Sequence, residues 1–302
     1  MPDYRSAGRF APSPTGPLHF GSLISAVASY LDIKQRQGRW LVRIEDIDPP
    51  REVPGASATI LHQLDAHGLL WDDSVLYQSE HLSRYLAAAD QLQQQDLTYF
   101  CQCSRQRIGS LGGIYDGHCR DLQLASDNRA MRLKLGKRNS EHLAFSDSIM
   151  GHYEQSLAAA IGDFVLRRRD GLVSYQLAVV VDDYYQNITH VLRGSDLLDS
   201  TPRQLYIQQC LDYPQPVYMH VPVALNNNGQ KLSKQNRAAT LRKGHEANNL
   251  YAALVWLQQE PPAEIANLSV AEIIQWGIEH WSLAKIPRIM GLDAPDNQLI
   301  SD

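Results

Sequence analysis

The sequence predicts an α/β protein built on a parallel sheet, and three features of the chain support this prediction. Near the N-terminus an apolar segment leads through a Pro/Gly-rich turn into a helix, whose apolar positions from Leu23 to Leu31 recur at helical spacing. Residues 39–44 follow as a buried strand, and strand, helix and strand in so short a length are typical of a parallel βαβ unit. Further apolar, β-branched segments that we predict as strands lie at residues 173–181, 188–192 and 220–225.

Caps and turns predict the elements between these strands. Gly38 is predicted as the C-cap of the first helix, and a second helix is expected over residues 54–67. Ser79 is predicted to cap a third helix, and Thr201 is predicted to cap another, with Pro202 at its first helical position. Amphipathic helices are expected between residues 245 and 280.

A region of different character interrupts the sheet pattern. It contains short strands, Gly-rich turns and clustered cysteines, which is typical of an insertion between two halves of a sheet domain. The predicted organisation has four parts: the first half of the sheet domain at residues 1–98, the insertion at 99–163, the second half at 164–236, and a C-terminal helical region with its tail at 237–302.

The composition is that of an ordinary globular chain. Of 302 residues, 44% are hydrophobic and 20% are charged, and the net charge of −5 excludes an overall positive field for nucleic acid. No apolar segment has the length of a membrane span, and the N-terminus lacks the pattern of a signal peptide. Three of the four cysteines cluster, which favours a metal site in a reducing compartment. We therefore expect a cytoplasmic protein with no membrane partner, and we expect a monomer.

The turn within residues 9–22 is the first candidate site. A strand, a tight turn of small residues and a helix N-terminus form an anion site, because the first amides of a helix lack partners and carry part of its dipole. His19, at the start of the helix, adds a side-chain donor to the same anion. The sequence therefore predicts phosphate binding at this turn.

Acidic residues follow the predicted strand at residues 39–44. Ligands of parallel sheets bind at the carboxyl ends of the strands, which is where Glu45, Asp46 and Asp48 are expected. Glu45, directly after the strand, is the strongest candidate to bind a polar substrate group. Asp46 and Asp48 fit a solvated turn equally well.

Two motifs resemble the signatures of class I aminoacyl-tRNA synthetases, known as "HIGH" and "KMSKS". Here they are HFGS at residues 19–22 and KLSKQ at residues 231–235, so Ser22 replaces the second histidine and Gln235 the last serine. The resemblance implies a Rossmann-type domain that binds ATP with Mg²⁺. Activation of an amino acid joins its carboxylate to the α-phosphate of ATP, so the protein contributes mainly positioning and positive potential.

Three further segments are similar to the glutamyl branch of that class. They are RFAPSPTG at residues 9–16, RIEDID at 43–48 and the stretch from 170 to 204, within a similarity that covers most of the chain up to about residue 240. The resemblance implies that L-glutamate is the amino acid. An arginine suits its side-chain carboxylate, and the positive charge disfavours glutamine.

The resemblance also assigns roles residue by residue. Arg9 is implied to pair with the side-chain carboxylate, and Glu45 to receive the α-amino group. The implied catalytic residues are His19 and Lys234. The residues implied to bind glutamate are Arg9, Phe10, Ala11, Pro12, Ser13, Glu45, Tyr175 and Arg193. The residues implied to bind ATP are His19, Gly21, Ser22, Lys231, Ser233 and Lys234.

The length of the chain indicates which family of the glutamyl branch it resembles. The ordinary glutamyl enzyme carries a large helical anticodon-binding domain after its catalytic domain, whereas only a short helical region is expected after residue 236 here. The chain thus resembles the glutamyl-Q tRNA(Asp) synthetases, a truncated family that activates glutamate without tRNA and attaches it to queuosine in the anticodon of tRNA(Asp). This resemblance implies a ligase whose partners are L-glutamate and tRNA(Asp) bearing queuosine.

Other functions remain open beside this one. A truncated glutamyl-tRNA synthetase would charge the 3′ end of a tRNA, and a catalytically inactive synthetase-like module would only bind RNA. The intact His19, Lys234, Arg9 and Glu45 argue against the inactive module. A small nucleotidyltransferase would share the fold, but the residues of the glutamate pocket argue against it.

The cysteine cluster is the second candidate site. Cys101, Cys103 and Cys119 offer three thiolates around a Gly-rich loop, and one more ligand completes a tetrahedral zinc site. Spacing alone favours His118 as that ligand, because imidazole is the commoner choice, whereas the family resemblance implies Tyr115. The expected ion is one structural Zn²⁺ that stabilises an insertion too small for a large core.

Overall fold

The computed structural model describes residues 6–136, 142–232 and 239–295. Its strands are β1 (Ala7–Phe10), β2 (Arg39–Ile44), β3 (Leu76–Tyr77), β4 (Thr98–Cys101), β5 (Ala130–Leu133), β6 (Leu143–Asp147), β7 (Gly151–Gln155), β8 (Phe164–Arg167), β9 (His190–Gly194), β10 (Val217–Val221), β11 (Val223–Leu225) and β12 (Gly291–Asp293). Its α-helices are α1 (Phe20–Gln35), α2 (Ala56–Ala66), α3 (Leu82–Gln94), α4 (Arg105–Ser110), α5 (Leu157–Ala160), α6 (Tyr175–Tyr185), α7 (Thr201–Leu211), α8 (Glu246–Trp256) and α9 (Val270–His280).

Five strands form a parallel sheet in the order β10-β9-β1-β2-β3. β1 pairs along its whole length with β2, and β10 pairs along its whole length with β9. Helix α1 connects β1 to β2, and its buried side chains join those of the sheet, α8 and α9 in one core. The predicted α/β class with a parallel sheet is confirmed.

The turn between β1 and α1 brings the chain to the carboxyl edge of this sheet. His19 is the N-cap of α1: its Nδ1 accepts a hydrogen bond from the Ser22 amide at 3.3 Å. The Ser22 hydroxyl in turn accepts from the His19 amide at 2.8 Å. This reciprocal cap fixes the first turn of the helix and the orientation of the imidazole.

The inserted region forms small sheets of its own. β4, β5 and β8 pair as an antiparallel three-stranded sheet, and β6 and β7 form an antiparallel hairpin. β8 begins just after the predicted boundary at residue 163, yet it pairs with β5 and not with the parallel sheet. The four domain limits therefore stay a prediction, and the chain leaves the insertion through its three-stranded sheet.

The strand predicted over residues 173–181 is wrong, because this segment forms most of helix α6. The Ser174 hydroxyl caps the helix by accepting from the Leu177 amide at 3.4 Å. All residues from Leu177 to Asp183 are buried, so the segment is apolar on nearly every face and shows no amphipathic period. A short apolar segment of this kind is compatible with a buried strand and with a buried helix. The capping serine is the sequence feature that favours the helix.

Three predicted caps also differ from the structure. Thr201, predicted as an N-cap, is the first residue of α7, and Ser200 before it is the N-cap. Gln37 adopts the left-handed conformation at the end of α1, with φ 57°, while a Cβ on Gly38 would lie 2.3 Å from the backbone oxygen of Ser6. Gly38 is thus required by a close approach of two chain segments. Ser79 does not begin α3, because its amide and hydroxyl bind the Asp46 carboxylate at 2.8 and 2.6 Å. Both contacts come from residues distant in sequence, which local patterns do not reveal.

The remaining predicted elements are confirmed. The segment 188–192 lies largely in β9, and the segment 220–225 forms the end of β10 and β11, which separate at Pro222. The predicted helices at 54–67 and 245–280 correspond to α2 and to α8 with α9. Among the residues that the structure describes, no helix is both long and apolar enough to cross a membrane.

We expect Gly38→Ala to lower the free energy of unfolding by about 1–3 kcal/mol, because the new methyl group would overlap the Ser6 oxygen. That oxygen accepts the Arg39 amide at 2.8 Å, so it cannot withdraw without loss of the contact. Gly109→Ala is the control, since a Cβ there meets nothing within 4 Å. Urea denaturation measures both variants, and equal stability of the two would contradict the prediction.

Candidate active site

A cleft of about 970 Å³ opens at the carboxyl ends of β1, β2, β9 and β10. It is lined by all the residues predicted to bind glutamate, which are Arg9, Phe10, Ala11, Pro12, Ser13, Glu45, Tyr175 and Arg193. It is also lined by four of the residues predicted to bind ATP, which are His19, Gly21, Ser22 and Lys231. Ser233 and Lys234 lie outside the described residues.

The start of α1 forms one wall of the cleft. A Cβ on Gly21 would lie 3.2 Å from the His19 ring and 3.7 Å from the Ala224 side chain, so a larger residue would press on the imidazole. Lys231 also lines the cleft, and its ammonium group pairs with Asp196 at 2.5 Å. This wall therefore combines a helix N-terminus, an imidazole and a lysine, which are suitable ligands for phosphate groups.

Arg9, which lines the cleft, and the buried Arg43 beside it share one carboxylate. Arg9 of β1 donates from Nε and Nη2 to Asp183 at 3.1 and 3.4 Å, and Arg43 of β2 donates from Nη2 at 2.7 Å. Arg43 is fully buried and also donates to Gln186 at 2.9 Å. Burial raises the pKa of Asp183, but the two arginines outweigh it and hold this pKa below its usual value. Asp183 is thus an ionised carboxylate that orients Arg9.

Asp182, the neighbour of that carboxylate, is satisfied by neutral donors. Gln78 donates to it at 2.7 Å, and the Tyr85 hydroxyl contacts both of its oxygens at 2.9 and 3.0 Å. Arg43 Nε lies 3.8 Å away, which is too far for a hydrogen bond. Burial raises the pKa of Asp182 above its usual value.

Glu45 lies beside this network with a side chain only 9% exposed. Its carboxyl is 3.9 Å from Arg43 Nε and accepts none of the strong hydrogen bonds that Asp183 receives. Burial raises the pKa of Glu45 to about 7, against the opposing influence of Arg43 and Arg9. The carboxyl therefore changes its charge near neutral pH, so a cation that binds next to it would draw it into the ionised form.

Arg193 of β9 lines the same cleft as Glu45. Its Nε donates to His220 Nε2 at 3.0 Å, and its Nη2 donates to the Thr201 hydroxyl at 2.9 Å. Nη1 is buried and has no hydrogen-bond partner among the described residues. Arg193 also lines the cleft, so its guanidinium is a candidate partner for a ligand carboxylate there.

Sequence reasoning missed several residues that hold these groups in place. They are Arg43, Asp147, Asp182, Asp183 and His220, all buried. The available signal was a charged or polar residue inside an otherwise apolar segment, because such residues are seldom buried without a partner. The sequence does not identify the partner, since each contact joins distant parts of the chain.

The cysteine cluster is formed in the insertion. The sulfurs of Cys101, Cys103 and Cys119 all lie within 4.8 Å of one another, and those of Cys103 and Cys119 are 3.5 Å apart. A tetrahedral zinc ion with bonds of about 2.3 Å would separate two sulfurs by about 3.8 Å. The three thiols therefore fit a zinc ion with little movement.

The two candidates for a fourth ligand lie differently. The Tyr115 hydroxyl is 3.4 Å from the Cys101 sulfur, and it accepts the Cys119 amide at 2.9 Å. The Arg132 guanidinium lies 3.8 Å from the centre of the Tyr115 ring and packs over it. His118 is exposed, and its amide binds Asp116. The geometry favours Tyr115.

Comparison with known proteins shows which family the sequence matches. The model of the family described as tRNA synthetases class I (E and Q), catalytic domain, matches residues 7–255. A protein named Glutamyl-Q tRNA(Asp) synthetase from Serratia proteamaculans is 48% identical over 297 residues, which are 98% of this chain and 97% of that protein. Proteins of the same name from Pseudomonas aeruginosa and Escherichia coli K12 are 49% and 50% identical over 97% and 95% of this chain, and over 98% and 92% of their own length.

The chain belongs to the glutamyl-Q tRNA(Asp) synthetase family. The predicted family and the prediction of a ligase enzyme are confirmed. A class I synthetase catalytic domain implies ATP with Mg²⁺ as its cofactors. The roles of individual residues stay predictions, because these comparisons concern whole chains.

Solved structures show the same fold. A crystal structure of a glutamate tRNA ligase from Elizabethkingia meningosepticum in complex with its amino acid matches with a TM-score of 0.81 at 23% identity, over 98% of this chain and 68% of that one. Glutamate-tRNA synthetase from Elizabethkingia anophelis gives the same TM-score, over 98% and 69%. The predicted class I synthetase fold is therefore confirmed.

We predict that the purified protein contains one equivalent of zinc and that Tyr115→Phe lowers its zinc affinity at least tenfold. The phenylalanine keeps the ring under Arg132 but removes the oxygen that faces the thiols. His118→Ala is the matched control, and it should keep the wild-type affinity because His118 is exposed. Competition with a chromogenic chelator measures both, and a loss of affinity in His118→Ala alone would identify the histidine as the ligand.

Proposed function

We propose that this protein activates L-glutamate with ATP in the absence of tRNA and transfers the glutamyl group to queuosine in the anticodon of tRNA(Asp). The name of the relatives supports this function. The observation that carries it is a cleft lined by two arginines, Arg9 and Arg193, and by Glu45, whose carboxyl accepts none of the strong hydrogen bonds that Asp183 receives. These groups provide a binding site for a carboxylate and an ammonium group close together, as in an amino acid with an acidic side chain.

The two arginines would bind the side-chain carboxylate of glutamate. Arg9 is held by Asp183, and Arg193 by His220 and Thr201, so neither guanidinium has to lose much freedom when a ligand binds. Glutamine would put an amide NH₂ group against these cations and lose one of the charge-assisted hydrogen bonds. This is the physical basis of the proposed preference for glutamate.

Glu45 would receive the α-amino group. Its carboxyl has few protein partners and a pKa of about 7, so an ammonium ion beside it would stabilise the ionised form. Ser13 and Tyr175 line the same part of the cleft as polar neighbours. The α-carboxylate would then be directed toward the start of α1.

The start of α1 would bind the phosphates of ATP. An oxygen of the glutamate α-carboxylate attacks the α-phosphorus, the bond to the bridging oxygen breaks, and pyrophosphate leaves with its negative charge. His19, the first amides of α1 and Lys231 would stabilise the charge on the phosphates, together with Lys234 from outside the described residues. The Mg²⁺ that accompanies ATP would supply further positive charge on the phosphates.

The transfer step follows from the chemistry of the adenylate. A hydroxyl of the cyclopentene diol of queuosine attacks the glutamyl carbonyl, its proton goes to solvent or phosphate, and AMP leaves. Zn²⁺ would hold the insertion together through Cys101, Cys103, Cys119 and Tyr115, away from the reacting atoms. Cytoplasmic location and a monomeric state belong to the same proposal.

We expect glutamate-dependent exchange between ATP and pyrophosphate without added tRNA, followed by transfer of labelled glutamate to tRNA(Asp). Transfer should require queuosine, so tRNA(Asp) that carries guanine at the same position is the matched control. Nuclease digestion then locates the label in the anticodon. Exchange that depends on tRNA, with label at the 3′ end, would support a truncated glutamyl-tRNA synthetase, and the absence of any exchange would support an inactive RNA-binding module.

We predict that the KM for glutamate in the exchange reaction falls about tenfold between pH 6 and pH 8, because only ionised Glu45 pairs with the α-ammonium group. Glu45 with a pKa of about 7 is mostly protonated at pH 6 and mostly ionised at pH 8. Glu45→Gln should raise this KM and remove its pH dependence. The exposed Glu264→Gln is the control, and a pH dependence that survives in Glu45→Gln would refute the role of Glu45.

A further inference from the structure

Arg193 is held by a buried histidine whose tautomer can be assigned. An arginine only donates hydrogen bonds, so His220 Nε2, 3.0 Å from Arg193 Nε, must be the acceptor. The proton of the neutral imidazole is then on Nδ1. Nδ1 lies 2.6 Å from Asp147 Oδ2, so it donates to that carboxylate. Asp147, His220 and Arg193 thus form one chain of hydrogen bonds that ends at the cleft.

Asp147, the first residue of this hydrogen-bonded series, is fixed by the backbone of the insertion. Asp147 ends strand β6, and its Oδ1 accepts the amides of Ile149 and Met150 at 2.9 and 2.8 Å. The side chains of Asp147 and His220 are completely buried. Oδ2 is therefore directed at the imidazole by a turn that belongs to the β6–β7 hairpin and not to the parallel sheet.

The electrostatics agree with this assignment. Burial lowers the pKa of His220 to about 4, and the Arg193 charge contributes in the same direction despite the carboxylate partner. Burial raises the pKa of Asp147, but hydrogen bonds from His220 and from the two backbone amides outweigh it and keep it below its usual value. The imidazole is thus neutral and the carboxylate ionised at neutral pH.

We propose that Asp147 and His220 are positioning residues for Arg193 and that they determine how strongly the site prefers glutamate to glutamine. Asp147 fixes the tautomer of His220, and the free Nε2 lone pair fixes the guanidinium at Nε. Thr201 holds Nη2, so the guanidinium is fixed on two sides where Arg193 lines the cleft. The inference rests on the proposed function, because it concerns the amino-acid site of that reaction.

The variant Asp147→Asn tests the positioning of Arg193 without changing the packing around residue 147. Asparagine has the same shape, and its oxygen can still accept the amides of Ile149 and Met150. Its NH₂ group, however, would face Nδ1 of His220, which must then become the acceptor and move its proton to Nε2. Two donors, Nε2–H and Arg193 Nε–H, would then oppose each other, and Arg193 would leave its position.

We expect Asp147→Asn to raise the KM for glutamate by tenfold or more in pyrophosphate exchange and to reduce the preference for glutamate over glutamine by a similar factor. The KM for ATP should stay within twofold, because ATP is not bound by Arg193. Asp32→Asn is the matched control: Asp32 is a buried carboxylate on α1 that binds Arg36 rather than a residue of the cleft. It should leave both KM values within twofold of the wild type.

A second variant tests the acceptor role of His220. In His220→Gln with Asp147 unchanged, the side-chain amide would offer its oxygen to Arg193 Nε and its NH₂ group to the Asp147 carboxylate, so part of the preference for glutamate that Asp147→Asn loses should be kept. An unchanged KM for glutamate in Asp147→Asn would overturn the inference, as would an equal rise of both KM values or a loss of preference in His220→Gln as large as in Asp147→Asn. The proposed function and the positioning role are tested separately. Glutamate-dependent exchange by the wild type tests the function, and the KM values of the variants test the positioning role.

Discussion

The Asp183 carboxylate is the contact on which the rest of the site depends. It lies on α6 and binds Arg9 of β1 and Arg43 of β2, so three elements that are distant in sequence meet at one buried charge. Breaking a buried pair by removing one partner typically costs about 3–5 kcal/mol, because it leaves an uncompensated charge. The helix is thereby tied to the sheet by charge as well as by packing. Arg9 is held in place before any ligand arrives.

The same network explains why Glu45 differs from its acidic neighbours. The charges of Arg9 and Arg43 balance those of Asp182 and Asp183, so an ionised Glu45 adds an unbalanced negative charge in a buried place. Burial raises its pKa, and the attraction of Arg43 and Arg9 offsets this only in part. An ammonium group beside Glu45 would restore the balance. In the proposed reaction, the α-amino group of the substrate supplies that charge, and a dicarboxylic acid without an amino group would not.

Local spacing predicted those parts of the fold and the site whose residues are neighbours in the chain. The HFGS turn, helix α1 and Glu45 after β2 all depend on short-range patterns, and each lies where the pattern indicates. Residues 173–181 show where this kind of prediction fails for the fold. The helix there is buried on nearly every face, so its sequence lacks the amphipathic pattern by which a helix is predicted. Arg43 and His220 show where it fails for the site. A buried polar side chain indicates that a partner exists, but only the packing of distant strands determines which one it is.

The contact between Asp147 and His220 means that the parallel sheet does not build the amino-acid site alone. β6 of the insertion carries Asp147, while β10 of the sheet carries His220. Phe145 packs against the Tyr218 ring at 5.8 Å and the His220 ring at 6.5 Å, and the Ser148 amide binds the Tyr218 carbonyl at 3.0 Å. These contacts keep water from the bond between the carboxylate and the imidazole, and a hydrogen bond in such an environment is stronger than in solvent. A shift of the hairpin would therefore change the orientation of Arg193, and in the proposed reaction it would change the preference for glutamate.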